Sequence, residues 1–442
     1  FDEIEEIRFS GVNQTGTFTG AQLTGETIDL TETAAGTSTL VINLASGTTS
    51  TFTNITASTF TSGSDNITIN GAGGNETITS TNLASTVNSG TGNDTITGGD
   101  GSDTLVGGNG DDLYRFNTND VDTGESITEL SGEGTDAVAI VTSTDLSNMT
   151  AASFDEIEEI RFVGANQTGT FTGSQLTGET LNLTETAAGT SNLVINVGSG
   201  TTATFTNITA STFTSGADTV TINGAGGNET IVSVDFASTL NGGDGADSLT
   251  GGDGDDVYLF NTNDVDSGES ITELSGEGTD AVAIVTSTDL SNMTAASFNE
   301  IEEIRFAGSD KTGTFTGAQL TGETLNLTET AAGTSNLIIN VGSGTTANFA
   351  NMTASTFTSG SDTITINGVG GNENITGPNL ISTFNGGAGN DTIVAGTTND
   401  IINGNDNNDT IDGGDGADSL VGGDGDDVYL FDTNDIDIGE SI

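Results

Sequence analysis

Ten aspartates recur at the sixth place of a nine-residue pattern, glycine-glycine-x-glycine-x-aspartate-x-apolar-x, and these are the residues whose type and spacing could do chemistry. They are Asp94, Asp103 and Asp112, then Asp247 and Asp256, then Asp391, Asp400, Asp409, Asp418 and Asp427. The clearest copies are GGDGSDTLV at 98–106, GGDGADSLT at 242–250 and GGDGADSLV at 413–421. Glycines let a loop turn through positive φ and bring carbonyl oxygens close to an ion, aspartate supplies a hard oxygen ligand, and the apolar residue faces inward. The chemistry expected is calcium coordination in a β-roll: two nonapeptides make one turn, alternate loops stack on one side, and carboxylates and carbonyls share the ion.

Some rungs depart from the pattern. AGTTNDIIN at 395–403 and GNDNNDTID at 404–412 lack several glycines, so Asp400 and Asp409 are expected to be structural rather than tight ligands. GAGGNETIT at 71–79 and GAGGNETIV at 224–232 resemble degenerate coils with Glu76 and Glu229 in the aspartate place, and they are candidates to complete the neighbouring sites. All three tyrosines, Tyr114, Tyr258 and Tyr429, occupy the eighth place of the last rung in their group. A tyrosine there can keep its ring in the core while its hydroxyl reaches solvent or a polar neighbour, or it can simply fill a wider cross-section.

The rungs sit inside a larger repeat. FDEIEEIRF at Phe1 returns at Phe154 and, as FNEIEEIRF, at Phe298, at spacings that differ by one nonapeptide. The stretch from Gly124 to Ser153 recurs unchanged from Gly268 to Ser297. Three modules are expected: 1–153 with a roll at 89–115, 154–297 with a roll at 242–259, and an incomplete 298–442 with a roll at 386–430. Gain or loss of whole rungs suggests a solenoid, in which an added coil is expected to lengthen the stack without disturbing its neighbours' register.

Composition narrows the function. With 64 acidic and 5 basic residues the formal charge is −59, so the chain repels itself unless cations bind it. Nucleic acid is an unsuitable partner, and an anionic membrane surface equally so. The chain has no cysteine or histidine, which removes disulfides, thiolate and imidazole metal sites, and Cys-His or Ser-His-Asp catalysis. No run of apolar residues is long enough to insert directly into a membrane. The paired carboxylates Asp2, Glu3, Glu5 and Glu6 could suggest acid/base work, but a polar strand face in which Arg8, Arg161 and Arg305 pair with a neighbouring Glu accounts for them better.

Apolar residues recur at fixed places between Gly, Asn, Ser and Asp, which argues against disorder. Strands are expected at Glu6–Phe9, Thr27–Leu30, Leu40–Leu44, Asn66–Ile69 and Ala137–Val141, and a short helical turn within 145–154. The fold class is all-β: elongated β-solenoid modules, with coils of about 18 to 20 residues, containing calcium-binding parallel β-rolls.

The nonapeptides resemble the RTX (repeats-in-toxin, haemolysin-type) calcium-binding family. The Thr/Gly-rich segments between them resemble stretches of RTX-type surface-layer and other bacterial surface proteins. The resemblance implies Ca²⁺ as the ligand, export by type I secretion, and an extracellular or bacterial cell-surface location. The expected function is non-enzymatic: a secreted calcium-binding structural repeat protein that self-associates into a cell-surface fibre or an S-layer-like polymer or lattice. The alternatives are the calcium-stiffened stalk of an adhesin, with a surface polysaccharide or other cell-surface ligand as partner, or the repeat and secretion region of an RTX toxin or hydrolase.

Overall fold

The computed structural model describes residues 1–442 except 2, 62, 63, 130, 131, 133, 214–216, 274–277, 359, 360, 433–438 and 440. Short strands, rich in Thr, Ile, Val and Asn, alternate with glycine- and asparagine-bearing turns, and the strand pairs named below are all parallel. There are two compact units: Phe1–Val197 with Ala203–Thr221, and Gly198–Thr202 with Ile222–Ile442.

In the first unit, one sheet holds Glu6–Phe9, Ile28–Glu32 and Ile55–Ala57. A second runs Thr15–Thr19, Thr39–Asn43, Asn66–Asn70, Ser85–Thr91, Thr104–Asn109 and Ser126–Thr128. A third starts at Thr49–Thr51 and passes through Thr77–Thr79, Thr95–Thr97, Leu113–Phe116, Ala137–Ile140, Glu159–Phe162 and Leu181–Glu185 to Ile208–Ala210. Up to Thr79 the circuits are long: from Glu6 to Asp29 the chain takes in one strand of the second sheet and a short helix at Gly20–Leu23, and from Asp29 to Thr56, as from Thr49 to Thr77, it visits all three sheets. In the roll it alternates between two sheets and the circuit is shorter, Thr77 opposite Thr95 and Thr86 opposite Thr104. The short coil expected from the sequence therefore belongs to the roll alone; the threonine-rich coils are longer because each carries a short helix or a third strand.

The second unit follows the same plan. Thr239–Asn241, Val257–Phe260, Ala281–Ile284, Glu303–Phe306, Asn326–Glu329 and Thr353–Ala354 are successive neighbours in one sheet, and Thr230–Val232, Ser248–Thr250 and Ser270–Thr272 in another. The long roll at its C-terminal end alternates Ser382–Ala388, Ile401–Asp406 and Ser419–Asp424 with Thr392–Val394, Thr410–Asp412 and Val428–Leu430.

Period-two alternation sends one residue in two inward, and parallel register stacks like on like. Ile78, Ile96, Tyr114, Val138, Ile160 and Leu183 are consecutive partners across one sheet and all are buried. Asparagines stack as well: Asn70 donates its Nδ2 to Asn43 Oδ1 (3.0 Å) and Asn88 to Asn70 (3.1 Å), while Asn367, Asn385 and Asn403 continue such a ladder from Asn340. The helical turn expected within 145–154 is a 3₁₀ turn at Ala151–Ser153. Three four-residue helices, Gly20–Leu23, Gly173–Leu176 and Gly317–Leu320, have no apolar period that the sequence could betray; each starts where a threonine amide donates to the glutamine three residues on. The repeat joints are no break in the ladder, since Ala137–Ile140 pairs with Glu159–Phe162 and Ala281–Ile284 with Glu303–Phe306.

The pairing register after each roll is the same, Leu113 lying opposite Ala137 as Val257 lies opposite Ala281, but a nonapeptide is half a coil, so adding one changes the sheet that the next module joins. In the first unit Leu113–Phe116 lies in the sheet of Thr77–Thr79, and so does the next Glu159–Phe162. In the second unit, where the roll is one nonapeptide shorter, the equivalent Val257–Phe260 pairs with Thr239–Asn241, the counterpart of Thr86–Asn88, and Glu303–Phe306 follows it into that other sheet. Odd and even rung counts therefore send the following module to different faces. Deleting residues 89–106, one full coil, should leave Glu159–Phe162 on the Thr77–Thr79 face, whereas deleting 98–106 should move it to the face of Ser85–Thr91. Structures of the two variants would check this.

Candidate calcium sites along the rolls

Each rung aspartate stands at a corner of its coil and turns its carboxylate toward the coil before it. Asp94 Oδ1 accepts the Glu76 amide (2.6 Å), Asp112 Oδ1 the Asp94 amide (2.7 Å), Asp136 Oδ1 the Asp112 amide (2.8 Å) and Glu158 Oε2 the Asp136 amide (2.7 Å). On the other side of the roll Asp103 Oδ1 accepts the Ser85 amide and hydroxyl (2.7 and 2.8 Å), and Glu125 Oε2 accepts the Asp103 amide (2.8 Å). Where a rung opens with glycine, the carboxylate lies where a side chain would project: a Cβ on Gly98 would stand 2.5 Å from Asp103 Oδ2.

The second roll repeats the arrangement. Asp247 accepts the Glu229 amide (2.7 Å) and Asp256 the Ser238 amide (2.7 Å); in turn Glu269 accepts from Asp247 (2.9 Å) and Asp280 from Asp256 (2.9 Å). In the third, Asp391, Asp409 and Asp427 form one ladder starting from the Glu373 amide, and Asp400 and Asp418 form the other from the Ser382 amide. Thus Asp94 and Asp112 are brought together, as are Asp391, Asp409 and Asp427, and Asp400 and Asp418. Asp247 and Asp256 stand on opposite sides of their roll, and flanking coils supply the neighbours of each. Glu76 and Glu229 take the aspartate place, as their coils suggested.

Sequence reasoning missed Asp136, Asp280, Glu125, Glu269 and Glu373. A signal for two of them was present: SGEGTDAVA, at 131–139 and 275–283, carries glycine, glycine, aspartate and an apolar residue at places two, four, six and eight. Of these stretches, residues 131, 133 and 275–277 lie outside the described residues.

With one carboxylate oxygen committed to an amide, Oδ2 of Asp94, Asp103, Asp112, Asp247, Asp256, Asp391 and Asp409 is buried without a hydrogen-bond partner. Asp409 therefore stands like the regular rungs, while Asp400 Oδ2 accepts the Gly396 amide at 3.4 Å. Burial pushes Asp103 up to about 8, Asp112, Asp256 and Asp400 to about 7 and Asp247 to about 6, against the pull of the donated amides. It also lifts Glu125 to about 9 and Glu269 to about 8. Buried oxyanions without donors are costly, and a hard divalent cation is the partner that carboxylates on neighbouring coils accept best. The residues fit calcium, which when bound supplies positive charge and coordination bonds between successive coils.

A family model for the RTX calcium-binding nonapeptide repeat, in four copies, matches residues 80–114, 223–258, 367–402, 379–411 and 394–429. These segments are RTX calcium-binding repeats. No curated protein matches the chain. The RTX segments take in the coils of Ser85, Glu229 and Glu373, so they reach into the same coils as the carboxylate ladders.

The tyrosines that end the first two RTX rolls are buried, and their hydroxyls donate to Glu129 (from Tyr114) and Glu273 (from Tyr258); the Tyr429 hydroxyl instead accepts the Gly422 amide at 2.7 Å. The arginines pair as expected: each donates Nε and Nη2 to the two oxygens of Glu6, Glu159 or Glu303. Thr31 and Arg8 hold Glu6 below its ordinary value. Burial opposes the same effect at Glu159 and Glu303, but their arginine and threonine donors outweigh it. Asp2 of the first acidic run lies outside the described residues.

The ladder makes two outcomes measurable. Asp103→Ala or Asp418→Ala should each weaken calcium binding in titration calorimetry; at Asp103 the buried Ser85 amide would also lose its acceptor, a cost of about 1–3 kcal/mol that Asp103→Asn should largely avoid. In calcium-free buffer, carboxyls whose folded pKa lies above the unfolded value of about 4 contribute stability that is complete below that value and lost as pH rises through about 6 to 9. The thermal midpoint without calcium should therefore fall from pH 5 to pH 8, and added calcium should restore it most at the higher pH.

Proposed function

We propose that this chain is part of a secreted, non-enzymatic structural protein whose calcium-loaded modules self-associate on the bacterial cell surface as a fibre or S-layer-like lattice. The observation that carries the reading is the recurrence of one module in closely similar copies, including thirty identical residues at 124–153 and 268–297. A repeated surface can meet its own copy at regular intervals, and an acidic one of net charge −59 needs divalent cations to do so. Export before calcium loading suits a fold whose buried carboxylates are unfavourable where the cation is scarce.

A non-catalytic role is supported by the repeated carboxylates themselves. Glu6, Glu159 and Glu303 are tied to arginine and threonine donors and held in the ionised form, the reverse of what a general acid requires. The adhesin stalk is favoured by one observation of its own, the unbroken strand pairing across the repeat joints, which would pass load from module to module. Its partner would be a surface polysaccharide or other cell-surface ligand held by a separate tip.

Electron microscopy of the native material in millimolar calcium, then after chelation, separates the readings. Ordered fibres or sheets that disperse on chelation are the expected result; single particles in both conditions would favour the stalk.

A further inference from the structure

We propose that Asp112, Glu129 and Asp136 form a divalent-cation site that closes the first roll, and that Asp256, Glu273 and Asp280 form its copy at the end of the second. The inference rests on the calcium reading of the rolls but goes beyond the nonapeptide: Glu129 and Glu273 come from the return strand after the last rung, and each site gathers three carboxylates.

In both triads each residue offers one carboxylate oxygen, and the three oxygens lie within 4.8 Å of one another. Asp112 is 1% exposed and Asp256 0%; in each, Oδ1 accepts an amide while Oδ2 is buried with no hydrogen-bond partner. That oxygen points into the triad. A Cβ added to Gly107 would run into Asp112 Oδ2, Glu129 Oε1 and the Tyr114 hydroxyl, so three oxygens converge above a single glycine; Gly251 meets Asp256 Oδ2, Glu273 Oε1 and Tyr258 in the same way. Glu129 Oε2 also accepts the Gly108 amide at 3.3 Å, which fixes the carboxylate over the loop.

Three carboxylates this close repel one another unless a cation or protons intervene. An all-oxygen set of charge −3 suits a hard ion such as Ca²⁺. Such a site joins the last rung to the next coil, where the step between paired strands lengthens: Thr95 lies opposite Leu113, but Leu113 lies opposite Ala137. It pins the roll at the point where its repeat ends.

The tyrosines make the site readable, because the chain has three of them and no tryptophan. Calcium taken up by Glu129 and Glu273 changes the group to which Tyr114 and Tyr258 donate, so tyrosine fluorescence reports occupancy. The full chain and the double variant Glu129→Gln/Glu273→Gln would be titrated with calcium by equilibrium dialysis and by tyrosine emission, with Asp103→Asn and Tyr114→Phe/Tyr258→Phe alongside. The expected result is two fewer ions per chain and loss of the emission change in the glutamine variant. Asp103→Asn should keep the emission change, and the phenylalanine variant should keep its ion count. An unchanged ion count and emission response in the glutamine variant, with binding still reduced in Asp103→Asn, would overturn the closing sites and leave the calcium-binding rolls standing. Absence of any calcium uptake by the unaltered chain would overturn both.

Discussion

A carboxylate oxygen that accepts the backbone amide one coil earlier is the contact on which the rest of the structure depends. Coil corners leave amides that no strand partner satisfies, and a buried amide without an acceptor costs as much as a lost hydrogen bond. The rolls meet that need with aspartate at an offset of 18, and the threonine-rich coils meet it with the same device at 27, where Asp65, Asp218 and Asp362 accept from Ser38, Ser191 and Ser335. The acceptor brings a second oxygen with it. At Asp65 and Asp362 that oxygen accepts the amide of Thr61 or Thr358, whereas at Asp94, Asp103, Asp112 and their like in the rolls it is buried without a hydrogen-bond partner and calls for a proton or a cation.

The corner also dictates the shape of the repeat. A coil with two corners and two strands closes on the short offset of the roll, and a third strand lengthens the circuit. Parallel register then stacks identical residues, so isoleucine lies on isoleucine inside and asparagine donates to asparagine along the ladder. Because one nonapeptide supplies a single corner and a single strand, the number of rungs decides which face the next module inherits. Rung number is thus a geometric variable as well as a measure of calcium capacity.

Calcium in this setting is a structural element. Bound there, it would convert rows of buried, self-repelling carboxylates into bonds between coils. A parallel roll of this kind names no activity by itself. What distinguishes this chain is that closely similar modules recur along it, with thirty residues identical at 124–153 and 268–297.

The nonapeptide, its calcium chemistry, the all-β class and the strands at 6–9, 39–43, 66–70 and 137–140 were legible in the sequence, because a two-residue alternation and a nine-residue period are local patterns. Glu76 and Glu229 were legible too, by their place in a degenerate rung. The partners of those carboxylates were not: that Asp103 holds Ser85, that Asp65 holds Ser38, or that Glu129 meets Asp112 above Gly107 depends on how successive coils stack. Nor could the sequence reveal that the threonine-rich coils carry a short helix or a third strand, or that an extra nonapeptide turns the chain to another face. Residue types alone determined what the corners bind; the number of strands between corners, which only the closed coil defines, decided which residues meet there.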